Sequence, residues 1–287
     1  MGNVSIGNEQ LRVEVSPMGS EMASLVTSDG NNWLWEGDSA FWSGRSPVLF
    51  PIVGKSPGDH IRIDGVRYPM GQHGFARRSM FELAAKGADF CRFELHSSPA
   101  SRSIYPFDFL LAIEHRVSGN SVAVTAEVTN LDETAMPYGI GFHPGFVWPL
   151  PSCEGQEHSV TLDNGGAPEL VRLSGGLVKP GAMPSPFQRG RLVLDHALFD
   201  ADAMLFPEGA GSGVRYAAGS KSLHFTWDNL PNFAIWSKPG APFVCLEPWH
   251  GTAAMVDGSE DLASRPYGVV LAPGETARYG FTVTIEG

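Results

Sequence analysis

Short stretches of alternating apolar and polar residues, broken repeatedly by turn formers, run through most of this chain and leave few folds open to it. Leu11, Val13 and Val15 fall on one side of an extended segment, with Arg12 and Glu14 on the other. Successive side chains of a strand point to opposite faces, so a period of two buries one face and wets the other. Residues 61–63 and 66–68 bracket Asp64-Gly65, a dipeptide that readily takes the positive φ angles of a tight hairpin turn. Residues 109–117 and 122–128 flank Gly119-Asn120 as a second hairpin, in which Val122, Val124, Ala126 and Val128 alternate cleanly. Leu223, Phe225 and Trp227 repeat the pattern, and Ala277, Tyr279, Phe281, Val283 and Ile285 share one face at the C-terminus. Helical spacing is scarce. The best candidate is residues 259–263, opened by Ser259 as an N-cap and ended before Pro266. Many short strands with frequent turns predict an all-β fold, a sandwich or barrel of mostly antiparallel strands with very little helix. The 34 glycines and 22 prolines follow no fixed repeat, so they read as turns between strands. No linker divides the chain; a single domain over residues 1–287 is expected, with the Gly/Pro-rich segment 173–190 as a long surface loop.

Composition removes several function classes. The net charge is −11 and no Lys/Arg cluster exceeds two adjacent residues, so the basic footprint of a nucleic-acid binder is missing. Cys91, Cys153 and Cys245 are odd in number and widely spaced, which argues against a disulfide framework or a structural zinc site. The first residues lack a basic start followed by an apolar run, and no stretch of about eighteen apolar residues occurs. A cytoplasmic protein without a membrane partner is expected.

Three segments fit neither strand nor turn: residues 71–78 (GQHGFARR), 138–146 (YGIGFHPGF) and 244–251 (VCLEPWHG). Each sets an ionisable residue among apolar or aromatic neighbours and glycines. A buried charge or imidazole is costly unless paired or functional, and flanking glycines let the backbone bend sharply or approach a ligand. Read singly, each histidine could be a hydrogen-bonded core residue, Glu247 an ion-pair partner of Arg77 or Arg45, and Trp249 plain packing.

The run LFPIVG (49–54), then GQHGFAR (71–77), GFHPGF (141–146) and LEPWHG (246–251), resembles the aldose 1-epimerase superfamily, and most nearly its LacX-like branch. The resemblance extends from about Val4 to Ile285 with the four motifs in the family's order. It implies a galactose mutarotase-like supersandwich with a sugar cleft across a concave sheet. It also implies Glu247 as general base, His143 as general acid, and His73 as a ligand of the ring oxygen and hydroxyls. By the same resemblance Arg45 contacts the sugar, Asp202 (or the adjacent Asp200) binds hydroxyls, and Arg77 either contacts the sugar or orients its neighbours. Trp249 is a candidate to pack on the sugar's C–H face.

The implied reaction interconverts the anomers of a free hexose. A base takes the C1 hydroxyl proton while an acid protonates the ring oxygen; the open aldehyde turns about C1–C2 and recloses. No redox step or group transfer occurs, so neither cofactor nor metal is expected, in keeping with the lack of a Gly-rich phosphate motif. The expected partner is a small sugar, met by a monomer or homodimer. Three rivals stay open on sequence: a non-catalytic carbohydrate-binding protein, a metal enzyme using His73, His143, Glu247 and His250, and a hexose-6-phosphate epimerase drawing on Arg77-Arg78.

Overall fold

The alternating segments become the strands of two large antiparallel sheets in the computed structural model, which describes residues 2–287. One sheet has nine strands in the order Arg191–Val193, Ser159–Leu162, Gly213–Ala218, Lys221–Asp228, Thr276–Glu286, Ser121–Asn130, Phe109–Ser118, Phe90–His96 and Glu82–Lys86. The second has Met204–Phe206, Asn232–Trp236, Phe243–His250, Ile140–Phe142 and Val48–Leu49, with Gly145–Val147 also paired to Phe243–His250. Aromatic pairs join the facing sides of the two sheets. Phe142 meets Phe281 edge-on at 5.0 Å between ring centres, Phe146 meets Phe225 at 5.8 Å, and Trp227 stacks on Phe233 at 4.8 Å. These rings belong to one continuous buried cluster that holds residues from Ile6 to Ile285. Leu11, Val13 and Val15 enter the same cluster from a smaller three-stranded sheet. The all-β sandwich read from the alternation is the fold observed.

Local turn chemistry follows the sequence closely. Asp64 and Gly65 both take positive φ, and Ile63 pairs with Val66 across them. At the second hairpin Gly119 alone is positive, with Ser118 opposite Ser121. Two expectations are corrected. The predicted helix at 259–263 is a single 3-10 turn at Leu262–Ser264, capped by Asp261, whose carboxylate accepts from the Ala263 N–H. Asp261 caps the turn because its side chain reaches the Ala263 amide inside it, whereas Ser259 Oγ accepts only from the Asp261 N–H ahead of it. The segment 173–190 is not plain loop: Leu173–Ser174 pairs with Leu177–Val178 in a small hairpin turning at Gly175-Gly176. Val178 donates to the Ala254 carbonyl at 2.9 Å and accepts from Val256 at 3.0 Å, which lays the hairpin over the chain leaving Phe243–His250. Among the described residues no helix is long and apolar enough to cross a membrane.

The core also holds a histidine that serves packing. His115 is 1 % exposed, its Nε2 2.9 Å from the Ser20 carbonyl, and burial lowers its pKa from 6.5 to about 4. The unfolded chain takes a proton as pH falls below 6.5, while the folded chain resists until about 4. Stability from this site is therefore complete above 6.5 and is lost on acidification, by roughly 3 kcal/mol in all. Denaturant titrations at pH 7 and pH 5 should show His115→Asn losing less stability over that interval than the wild type. Equal losses would contradict this role.

Candidate active site

The two faces of the smaller sheet have different tasks. Along Phe243–His250, Val244 and Leu246 point into the sandwich core, whereas Cys245, Glu247 and Trp249 point to the other side. Cross-strand partners share a face, so Trp236, Ala234 and Asn232 lie beside Cys245, Glu247 and Trp249 in turn. Leu205, opposite Ala234, and Gly141, opposite Trp249, continue that face. It forms the floor of a cavity of about 260 Å³. Its walls come from Trp42, Gln72, His73, Arg77, His143, Asp202 and the Leu173–Val178 hairpin, through Leu173 and Gly176. Gly141 is glycine because a Cβ there would overlap the Trp249 ring.

Register brings the two chemically active groups together. Gly141 pairs with Trp249 and Gly145 with Cys245, with equal numbers of residues between them on both strands, so His143 stands opposite Glu247. The His143 Nε2 lies 3.1 Å from Glu247 Oε2, at 10 % and 2 % side-chain exposure. That distance suits an ion pair, but burial pushes the two groups toward their neutral forms. It holds the Glu247 carboxyl well above the usual range, helped by the nearby Asp202 carboxylate. It lowers His143 to about 3, against the pull of the residue's own carbonyl and with the help of Arg77. The pair thus retains one proton over a wide pH span, in an O–H···N hydrogen bond without net charge.

The surroundings hold that pair still. Trp42 lies over the His143 ring at 4.8 Å and 33°, and Trp236 meets it edge-on at 5.6 Å. The His143 N–H donates to the Pro47 carbonyl at 3.1 Å, and Gly145 donates to Arg45 at 2.7 Å. Glu21 accepts from the backbone N–H groups of Arg45 and Ser46, at 2.6 and 2.9 Å. Arg45 therefore supports the His143 loop through its main chain. Its side chain is not in the cavity; the guanidinium packs against Gly37. The arginine whose side chain lines the cavity is Arg77, not Arg45.

His73 enters on a turn that only its sequence permits. Its own φ is +63, and at Gly74, φ +68, a Cβ would overlap the Phe50 carbonyl. The Gly54 N–H donates to His73 Nδ1 at 3.1 Å. Burial lowers the His73 pKa well below 6.5, with His143 and Arg77 adding to the effect. A neutral ring that accepts at Nδ1 carries its proton on Nε2, which lies 3.3 Å from the Gln72 side-chain amide, with the His143 ring 5.7 Å away between centres. Arg77 donates through Nη2 to the Gln72 carbonyl at 2.8 Å. Its Nε, with His143 Nδ1 and Trp249 Nε1, is buried without a hydrogen-bond partner. Three residues lining the cavity thus each carry an unpaired polar atom just behind its surface.

The remaining candidates separate cleanly. Asp202, at φ +67, lines the cavity, whereas Asp200 ends the short His196–Phe199 turn and does not. His250 faces away, its Nδ1 2.9 Å from the Asn229 carbonyl. The four-residue metal set of His73, His143, Glu247 and His250 is therefore not assembled. Among the described residues, the group with ligand atoms close enough for one ion is His143, Cys245 and Glu247. Trp42, Trp236 and Gln72 are lining residues that sequence reasoning missed, as it missed that Cys245 lies close to His143 and Glu247 without lining the cavity. Strand alternation could have signalled Cys245, two residues before Glu247.

A family model described as aldose 1-epimerase matches residues 2–284. The chain belongs to the aldose 1-epimerase family. It is similar to protein LacX of Lactococcus lactis subsp. lactis, 28% identical over 297 residues, covering 98% of this chain and 99% of that protein. Among solved structures, the galactose mutarotase related enzyme of Lactobacillus acidophilus superposes with a TM-score of 0.93 at 27% identity, over 99% of this chain and 97% of that one. A galactose mutarotase-like protein from Lactobacillus casei gives 0.92 at 27% identity, over 99% and 100%. The sandwich is thus the galactose mutarotase-like fold, and the chain is of the epimerase kind that the family description names.

Proposed function

We propose that this member of the aldose 1-epimerase family interconverts the α and β anomers of a free hexose, with the whole chain acting as one domain. The observation that carries the reading is the 3.1 Å contact between His143 and Glu247 at a cavity wall. The two oxygens of a hemiacetal, O1 and the ring O5, are bonded to the same carbon. An acid and a base that must serve them together have to be neighbours, and these are. The shared proton first crosses the hydrogen bond from Glu247 to His143; Glu247 then takes the O1 proton as His143 gives its own to O5, the C1–O5 bond breaks and C1=O forms. The pair holds one proton before and after this step. The ring-opened state leaves Glu247 protonated and His143 neutral, the forms that burial favours. After rotation about C1–C2 the same transfers run backwards. His73 Nε2–H, the Arg77 guanidinium, the Trp249 indole N–H and the Asp202 carboxylate are assigned to the sugar's oxygens and hydroxyls. Arg77 is the one cation among the residues lining the cavity, which favours an uncharged hexose over its phosphate.

Polarimetry of freshly dissolved α-glucose and α-galactose tests this. The approach to equilibrium rotation should accelerate in proportion to protein added, more than for hexose 6-phosphates, and chelators should leave it unchanged. No acceleration with any sugar would instead indicate a binding protein on this fold.

The pH dependence has a definite sign. Unperturbed groups at 4.5 and 6.5 would hold one proton between them only in a narrow window around pH 5.5. With His143 lowered to about 3 and Glu247 raised, the one-proton pair persists on both sides of that window. The enzymatic rate, corrected for buffer catalysis, should therefore be flat from about pH 5 to pH 7. A rate that drops steeply over that interval would contradict the assignment.

A further inference from the structure

Cys245 takes no part in the chemistry above, yet it shares a strand face with Glu247, two residues on, and is buried against Trp35, Phe243 and Trp42. Its Sγ, a ring nitrogen of His143 and an oxygen of Glu247 all lie within 4.8 Å of one another. From these three positions we propose that the cavity floor is also a binding site for a thiophilic divalent metal ion, zinc or cadmium, held by Cys245, His143 and Glu247.

The donor set fits that class of ion. Thiolate, imidazole and carboxylate together suit zinc and its heavier analogue, with little claim on magnesium or calcium. Three protein ligands leave a fourth tetrahedral position, and the cavity beside His143 and Glu247 supplies room for water there. Charge balances as well. The ion displaces the thiol proton of Cys245 and the single proton of the His143–Glu247 pair, releasing two protons to solvent. A dication bound to one thiolate, one carboxylate and a neutral imidazole has no net charge, so the buried site is as neutral after binding as before. The His143 ring is already oriented by Trp42 and Trp236, and Gly145 packs against the Cys245 sulfur, where a Cβ would come within 3.4 Å. Two of the three ligands are the proposed acid and base, so an occupied site blocks the reaction. Only this inhibitory consequence rests on the epimerase reading; the binding itself does not.

The test is a titration of the intact protein with cadmium, followed by the ultraviolet thiolate-to-cadmium charge-transfer band. One ion per chain should give the band. Cys245→Ala should abolish it and weaken binding by more than the roughly 10–100-fold that loss of an outer-shell partner costs, while Cys153→Ala leaves it intact. Cys245→Ser, which keeps the shape but offers a poor ligand, substitutes if the alanine variant does not fold, and should also lack the band. In the activity arm, zinc should inhibit anomer exchange by the wild type and inhibit Cys245→Ala far less. A wild type without the band, or a Cys245→Ala protein that keeps it, overturns the site. Loss of the activity arm alone, with the band present, overturns only the epimerase reading.

Discussion

Glu247→Gln is expected to lower the turnover of anomer interconversion by roughly 10²–10⁴-fold, the range a positioned acid or base contributes. The amide has nearly the shape of the carboxylate but cannot accept a proton from O1. It can still hydrogen-bond to His143, so the cavity and the register of Phe243–His250 should survive. KM should change far less than turnover, because the lost interaction belongs to the transition state. Steady-state kinetics beside a thermal melt make the check. A variant that kept near wild-type turnover would remove Glu247 from the chemistry, and one that lost its melting transition would show the residue to be structural.

His143→Asn should cost a similar factor alone, and the more telling result is the double variant. Two independent contributions would multiply, to roughly 10⁴–10⁸-fold. A pair that shares one proton across 3.1 Å behaves as a unit: once either partner is gone, the other has nothing to exchange with. Adding Glu247→Gln to His143→Asn is therefore expected to lower the rate by less than about tenfold more, a coupling seen where catalytic groups act together. Full multiplicativity would mean that the two residues act on separate steps.

Much of this architecture was legible from residue order because it rests on local rules. Period-two alternation in Val122–Val128 and in Ala277–Ile285 reports which face meets the core, and Asp64-Gly65 specifies its own turn. Glu247 stood out for the same reason: in Phe243–His250 both faces are covered, seven of eight residues are buried, and a carboxylate in such a strand requires an explanation. The parts that escaped depend on long-range register. Nothing local says that position 143 will lie opposite 247, or that Trp42, far upstream of His143, will cover its ring. For Arg45, a motif carries a residue's position but not the direction of its side chain; here its backbone supports the His143 loop and Arg77 faces the cavity. The 173–190 segment was underestimated for a related reason. Its glycines read as loop, yet Gly175-Gly176 turn a hairpin that packs by main-chain hydrogen bonds against residues 254–256.

Magnetisation exchange between the α and β C1 signals of a free aldose, recorded by NMR at equilibrium, reports ring opening directly and needs no optical change. With the wild-type protein present, at least one hexose should show cross-signals between its anomers that grow with enzyme concentration, and Glu247→Gln should return exchange to the buffer rate. Exchange that stays at the buffer rate with the wild type for every aldose tried, or that persists undiminished in Glu247→Gln, would contradict the claim that this buried pair opens the hemiacetal.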